Sequence, residues 1–198
     1  MDSPTEKAAY LINLLNTKGQ EDYIGESISQ LEHSLQAAHQ AGANNADDET
    51  VIAALLHDIG HFLPASEVQT IARTVRKMSD FSGGDVGRVG HERIGEEYLL
   101  RLGFSKKVGS LVGSHVAAKR YLCATDAAYY DTLSEASKKS LIFQGGPMKD
   151  DELAEWATSP WCEEMCQLRK WDDAAKVVGL QVKPAAAYES SLIRLLSF

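Results

Sequence analysis

"AALLHDIGH", residues 53–61, sets His57 directly before Asp58, with His61 three residues further on, inside an apolar run. Successive side chains on a helix point about 100° apart, so these neighbours do not act as an equal pair of ligands on one ion. Adjacent donors suit adjacent metals. A carboxylate carries two oxygens and bridges two cations held ~3.5–4 Å apart, while the imidazole before it binds one of them. Asp58 is the natural bridge, and the remaining donors have to come from other parts of the chain.

Working outward, apolar residues recur at helical spacing on both sides of this stretch. Ser3, Pro4 and Glu6 form a capping-box start, Ala8, Leu11, Ile12 and Leu15 line one face, and Gly19 is a stop. A second helix is predicted from about Ser27 to Gln40, with Ile28, Leu31, Leu35 and Ala38 inward and Gly42 closing it. A third opens at Asp47 or Asp48 and runs through Val51, Ala54, Leu55 and the His57-Asp58 pair until Pro64 breaks it. "SDFSGGDVGRVG", residues 79–90, is too rich in Gly and Asp to pack, so 62–89 reads as an insert or lid, with a short helix over 66–78. Further helices are predicted near 90–102, 105–122, 134–143, 150–157, 161–178 and 185–197. No alternating pattern argues for strands. The expected fold is all-α, a single domain over 1–198 built as a helical bundle.

Composition narrows the functional classes. The 198 residues are 44% hydrophobic and 24% charged, which is globular, and no apolar run approaches the ~20 residues of a membrane span. "MDSPTEKAAY" lacks the basic and apolar regions of a signal peptide, so a cytoplasmic location is expected. A formal charge of −8 with dispersed Lys and Arg argues against nucleic acid. Cys123, Cys162 and Cys166 are expected to be free small hydrophobes. No feature sets an oligomeric state.

Six histidines occur, and five of them, His33, His57, His61, His91 and His115, fall on inward-facing helical positions, leaving out His39. One histidine on an apolar face is usually a hydrogen-bonded core residue. Five converging on an adjacent His-Asp pair point to metal. Asp172 follows Met165 and Leu168 on the same stripe, where an unpaired carboxylate would be expensive.

The order His33, His57-Asp58, His91, His115, Asp172 resembles the HD-domain superfamily. "YIGESISQLEHS", "AALLHDIGH", "HERIG", "HVAAKRYL", "QGGPM" and "LRKWD", spread over residues 20–178, resemble more closely its mixed-valent diiron oxygenases that cleave 1-hydroxy-2-aminoethylphosphonates. That resemblance implies two iron ions in an Fe(II)/Fe(III) pair with O2 as co-substrate. His33, His57, Asp58 and Asp172 would hold one iron, and Asp58, His91 and His115 the other. Lys119, one turn after His115, and Arg169, three residues before Asp172, share faces with ligands and would bind a small anionic phosphonate, together with His61 and Ser137. Tyr23 would occupy an open iron position until substrate arrives, and Glu26 would meet the substrate's ammonium group. Glycine or, for a trimethylammonium head, glycine betaine would be released with phosphate. The 62–89 segment looks longer than in familiar members, which favours the trimethylated head, with Phe81, Tyr129 or Tyr130 as a cation–π wall. An HD-type metal-dependent phosphohydrolase is the competing expectation, since it would share the ligands.

Overall fold

The computed structural model describes residues 3–23, 26–74 and 90–197. Its helices are α1 (Pro4–Lys18), α2 (Gln30–Ala43), α3 (Asp48–Leu56), α4 (Ile59–Phe62), α5 (Ala65–Thr74), α6 (His91–Leu102), α7 (Lys106–Thr125), α8 (Tyr129–Thr132), α9 (Glu135–Phe143), α10 (Asp150–Ala157), α11 (Cys162–Ala174) and, after a 3-10 turn at Ala185–Tyr188, α12 (Glu189–Leu195). The described residues contain no strand, only an isolated bridge between Asp22 and Ser29. The fold is all-α, and no described helix is long and apolar enough to cross a membrane. Most of the segment read as an insert, 75–89, lies outside the described residues, and Phe81 with it.

Local chemistry accounts for where the helices start. Ser3 and Glu6 form the reciprocal capping box of α1. A second box was not foreseen: Ser29 Oγ accepts from the Glu32 amide at 3.1 Å, and the Glu32 carboxylate accepts from the Ser29 amide at 2.7 Å. α2 therefore begins at Gln30, and Ser27 and Ile28 belong to a loop. The Tyr23 amide donates to Ile28 O at 2.8 Å and the Gln30 amide to Glu21 O at 3.0 Å, which straps this loop to the start of α2. The helix carrying His57 also ends earlier than predicted. α3 stops at Leu56, and Asp58, at φ −97° and ψ 10°, turns the chain into α4 before Pro64 is reached. α11 likewise ends at Ala174, short of the predicted 178.

α7 packs against α3, α6 and α11, α2 against α3 and α11, and α1 against α12. Leu55, Ile59, Ile94, Leu99, Leu111 and Leu168 are completely buried among these helices, each contributing roughly 1.5–3 kcal/mol. Within the same interior lie His33, His57, Asp58, His115, Lys119, Arg169 and Asp172, all almost wholly buried. Cys123, Cys162 and Cys166 are free, as predicted.

Gly60 sets how closely α4 approaches α6. A Cβ built there would collide with the carbonyl oxygen of His91 and lie 2.8 Å from its carbon. Gly60→Ala is expected to force the two helices apart, destabilising by about 1–3 kcal/mol and drawing His91 away from Asp58. Thermal melting checks it, and an unchanged Tm would refute so close a contact.

Candidate metal centre

Five elements bring six side chains to one point. His33 comes from α2, His57 and Asp58 from the break between α3 and α4, His91 from the first turn of α6, His115 from α7 and Asp172 from α11. They form two groups around Asp58. On one side His33 Nε2 and His57 Nε2 are 3.0 Å apart, with Asp58 Oδ2 3.4 Å from His57 Nε2 and Asp172 Oδ1 3.3 Å from His33 Nε2. On the other, His91 Nε2 and His115 Nε2 are 3.0 Å apart, and Asp58 Oδ1 lies 3.3 Å and 3.6 Å from them. Each oxygen of Asp58 thus faces one histidine pair. The turn at Asp58 makes this possible, since an uninterrupted helix would have pointed it away from His57.

The tautomers follow from the partners of the other ring nitrogens. His33 Nδ1 lies 2.9 Å from Ala175 O, His57 Nδ1 2.8 Å from Ala54 O, and His115 Nδ1 2.8 Å from Val112 O. A carbonyl only accepts, so each Nδ1 carries the hydrogen and each Nε2 of a neutral ring presents a lone pair. His33 and His57 therefore aim two lone pairs at each other. Asp172 Oδ1 is buried with no hydrogen-bond partner. Such an arrangement calls for a positive centre between the donors. Without a metal a proton on His57 meets that need: burial alone would lower its pKa, yet the carboxylates of Asp58 and Asp172 raise it to about 9, and a cation bound between the rings has to displace that proton. Burial likewise opposes ionisation of Asp58, but His57 and His91 hold it well below the usual carboxylate range. Burial and neighbouring His91 push His115 well down. Imidazole and carboxylate donors around a shared carboxylate fit a pair of borderline cations such as iron, without the thiolates of a structural zinc site. His61 stacks on His91 at 3.9 Å between centroids and lies within reach of a cation at Asp58 and His91.

A cavity of about 520 Å³ opens beside this cluster, lined by Tyr23, Asp58, His61, His91 and His115 together with Lys119, Ser137, Ser140, Arg169 and Lys176. Tyr23 stacks on His33 at 3.9 Å, and burial with the charges of Asp172 and Asp58 keeps its phenol protonated. Lys119 Nζ donates to Ser140 Oγ at 2.7 Å. The sequence placed Arg169 as an anion clamp; it lines the cavity, and each of its three nitrogens already meets a carboxylate: Nη1 donates to Asp172 Oδ2 at 2.6 Å, Nε to Asp173 Oδ2 at 3.1 Å, and Nη2 also reaches Asp173. Its first task is to hold carboxylates. Tyr129 donates to Asp173 and Tyr130 is exposed; neither lines the cavity, so the aromatic wall expected of them is not there. Glu26 does not line it either, whereas Lys176, overlooked in the sequence, does. The only hint was its spacing, four residues after Asp172 and beyond the end of α11.

Lys119 is brought down to about 7 by burial and by Arg169, against Asp172 and Asp173. An anion bound there requires the ammonium form, so above neutrality binding must take up a proton. Affinity for a phosphonate is expected to fall up to about tenfold from about pH 8 to about pH 9, with proton uptake visible by calorimetry in buffers of different ionisation heat. Equal affinities would remove Lys119 from the contact.

The HD domain family profile matches residues 31–141. The chain is 40% identical over 190 residues, 96% of its length and 88% of the relative's, to a hydroxymethylphosphonate dioxygenase of Gimesia maris. It is 38% identical over 167 residues, 84% of its length and 79% of the relative's, to the glycine-betaine-forming 1-hydroxy-2-(trimethylamino)ethylphosphonate dioxygenase of Leisingera caerulea. An uncharacterized protein of Acanthamoeba polyphaga mimivirus is 36% identical over 197 residues, 100% of this chain and 85% of that one.

Proposed function

This chain belongs to the HD-domain family, and from that premise we propose that it is a metal-dependent dioxygenase that oxidatively cleaves the C–P bond of an α-hydroxyphosphonate. The observation that carries the reading is the pair of facing histidine pairs on either side of Asp58, opening onto a cavity whose lining includes Lys119, Arg169 and Lys176. Similarity to two phosphonate dioxygenases over most of the chain supports it. The competing phosphohydrolase has no observation in its favour beyond the ligand set both would share.

His33, His57, Asp58 and Asp172 are the residues that would hold one ion, and Asp58, His91 and His115 the other. A mixed-valent Fe(II)/Fe(III) pair bound there would supply the activation of O2 and Lewis acidity toward the substrate's hydroxyl oxygen. The chain's own part is placement and charge. Lys119, in its ammonium form, and Ser137 fix the phosphonate, with His61 beside His91. Tyr23, kept neutral, covers His33 and shields the donors from water. Arg169 orients Asp172 through a buried charge-assisted hydrogen bond of 2.6 Å. The overall change balances with O2 alone: the α-carbon leaves as a carboxylic acid and the phosphorus as phosphate, so no external reductant is required.

The protein, loaded with iron, is expected to contain close to two ions per chain and to release phosphate only while consuming O2. Oxygen-electrode and phosphate assays on hydroxymethylphosphonate and its aminomethyl and trimethylammoniomethyl derivatives check it. Full phosphate release under anaerobic conditions would make the protein a hydrolase instead.

A further inference from the structure

Glu26 is already paired. Its Oε1 lies 3.1 Å from Lys176 Nζ, an ion pair without the alignment of a hydrogen bond. The same Nζ lies 3.2 Å from both Ser134 Oγ and Ser137 Oγ and 5.8 Å from the centre of the Tyr23 ring. Lys176 thus bridges the loop that carries Tyr23 and Glu26 to the start of α9, and it presents its charge to the cavity.

The other carboxylates near the cavity are also committed. Asp58 and Asp172 face the histidines, Asp173 binds Arg169, and Glu135, which lines the cavity, is almost fully exposed and paired with Lys138. A substrate ammonium needs an unpaired carboxylate or an open aromatic face; among the described residues the tyrosine that lines the cavity, Tyr23, is stacked on His33 and already has Lys176 Nζ over its ring, while Tyr129 is turned to Asp173 and Tyr130 to solvent. A cationic tail would have to displace Lys176 from Glu26 or lie beside a like charge in a partly desolvated site.

We propose that Lys176 is the specificity-determining residue of this site, and that by neutralising Glu26 it restricts the substrate to α-hydroxyphosphonates with a compact, uncharged substituent. The inference rests on the reading of the site as a phosphonate oxygenase. Glu26 is then a positioning residue for Lys176, and Lys176 adds a cation to the lining that receives the phosphonate.

The test compares hydroxymethylphosphonate with 1-hydroxy-2-aminoethylphosphonate and its trimethylammonio analogue on the iron-loaded enzyme, by kcat/KM from O2 uptake and by Kd from anaerobic titration calorimetry. Wild type is expected to favour hydroxymethylphosphonate at least about tenfold by both measures. Lys176→Met should free Glu26 and raise use of the ammonium-bearing substrates about tenfold, a gain that mere structural damage cannot produce, while Lys176→Arg should keep the wild-type preference. Cleavage with equal or greater preference for the cationic substrates in wild type overturns this inference and leaves the oxygenase reading intact. Failure to bind or cleave any of the three overturns both. Should Lys176→Met not fold, the wild-type comparison decides alone.

Discussion

Asp58→Ala will purify without either metal ion and will show no measurable O2 consumption with any phosphonate. Losing a residue that only supports a ligand commonly lowers metal affinity about 10–100-fold. Asp58 faces both histidine pairs directly, with Oδ1 3.3 Å from His91 Nε2 and Oδ2 3.4 Å from His57 Nε2, so the losses compound to about ten-thousandfold in loading the pair. The four imidazoles and Asp172 remain, but no carboxylate stands between the two histidine pairs to draw two cations together. Elemental analysis beside a circular-dichroism control distinguishes loss of metal from loss of fold. Retention of both ions would show that Asp58 is not the bridge.

Arg169→Ala should damage the fold itself. Its guanidinium satisfies Asp172 and Asp173 while lying almost wholly buried. Removing one partner of such a cluster leaves buried negative charge uncompensated, at about 3–5 kcal/mol. For a chain of this size that corresponds to a fall in Tm of roughly 10 °C. Melting the metal-free protein isolates the effect from metal loading. Arg169→Lys should recover only part of it, because an ammonium cannot reproduce the fork that reaches both carboxylates. An unchanged Tm for the alanine variant would mean that water already compensates Asp172 and Asp173.

His33, His91, His115 and Asp172 stood out in the sequence as polar residues at inward positions of amphipathic helices, and His57-Asp58 as a polar pair inside an apolar run. Helix starts at Ser3 and Ser105 were readable for a shared local reason, a side-chain oxygen placed to receive orphan amides. The turn at Asp58 was not, because its neighbours all accept helical geometry and the break is imposed by packing of α4 on α6. The close approach at Gly60 was not readable either, because it depends on the carbonyl of His91 packed against it. Arg169 and Lys176 show the limit most plainly: charge and spacing pointed to Arg169 and passed over Lys176, because the carboxylates they meet are set by Asp173 and by a loop more than a hundred residues away in the chain. Tyr129 was singled out for its ring, and the structure uses its hydroxyl.

The donors of the first histidine pair are gathered from residue 33 to residue 172, and the carbonyl that orients His33 belongs to Ala175. During synthesis the amino-terminal helices emerge first. A nascent chain therefore exposes His33, His57 and Asp58 before Asp172 exists to complete them. Such an imidazole-rich half-site follows the general affinity order, in which copper and zinc outcompete ferrous iron. Docking of α11 adds the hard carboxylate and locks the ring of His33 in the same step. α11, made late in the chain, thus completes the donor set around His33 and His57 only after the earlier helices have emerged.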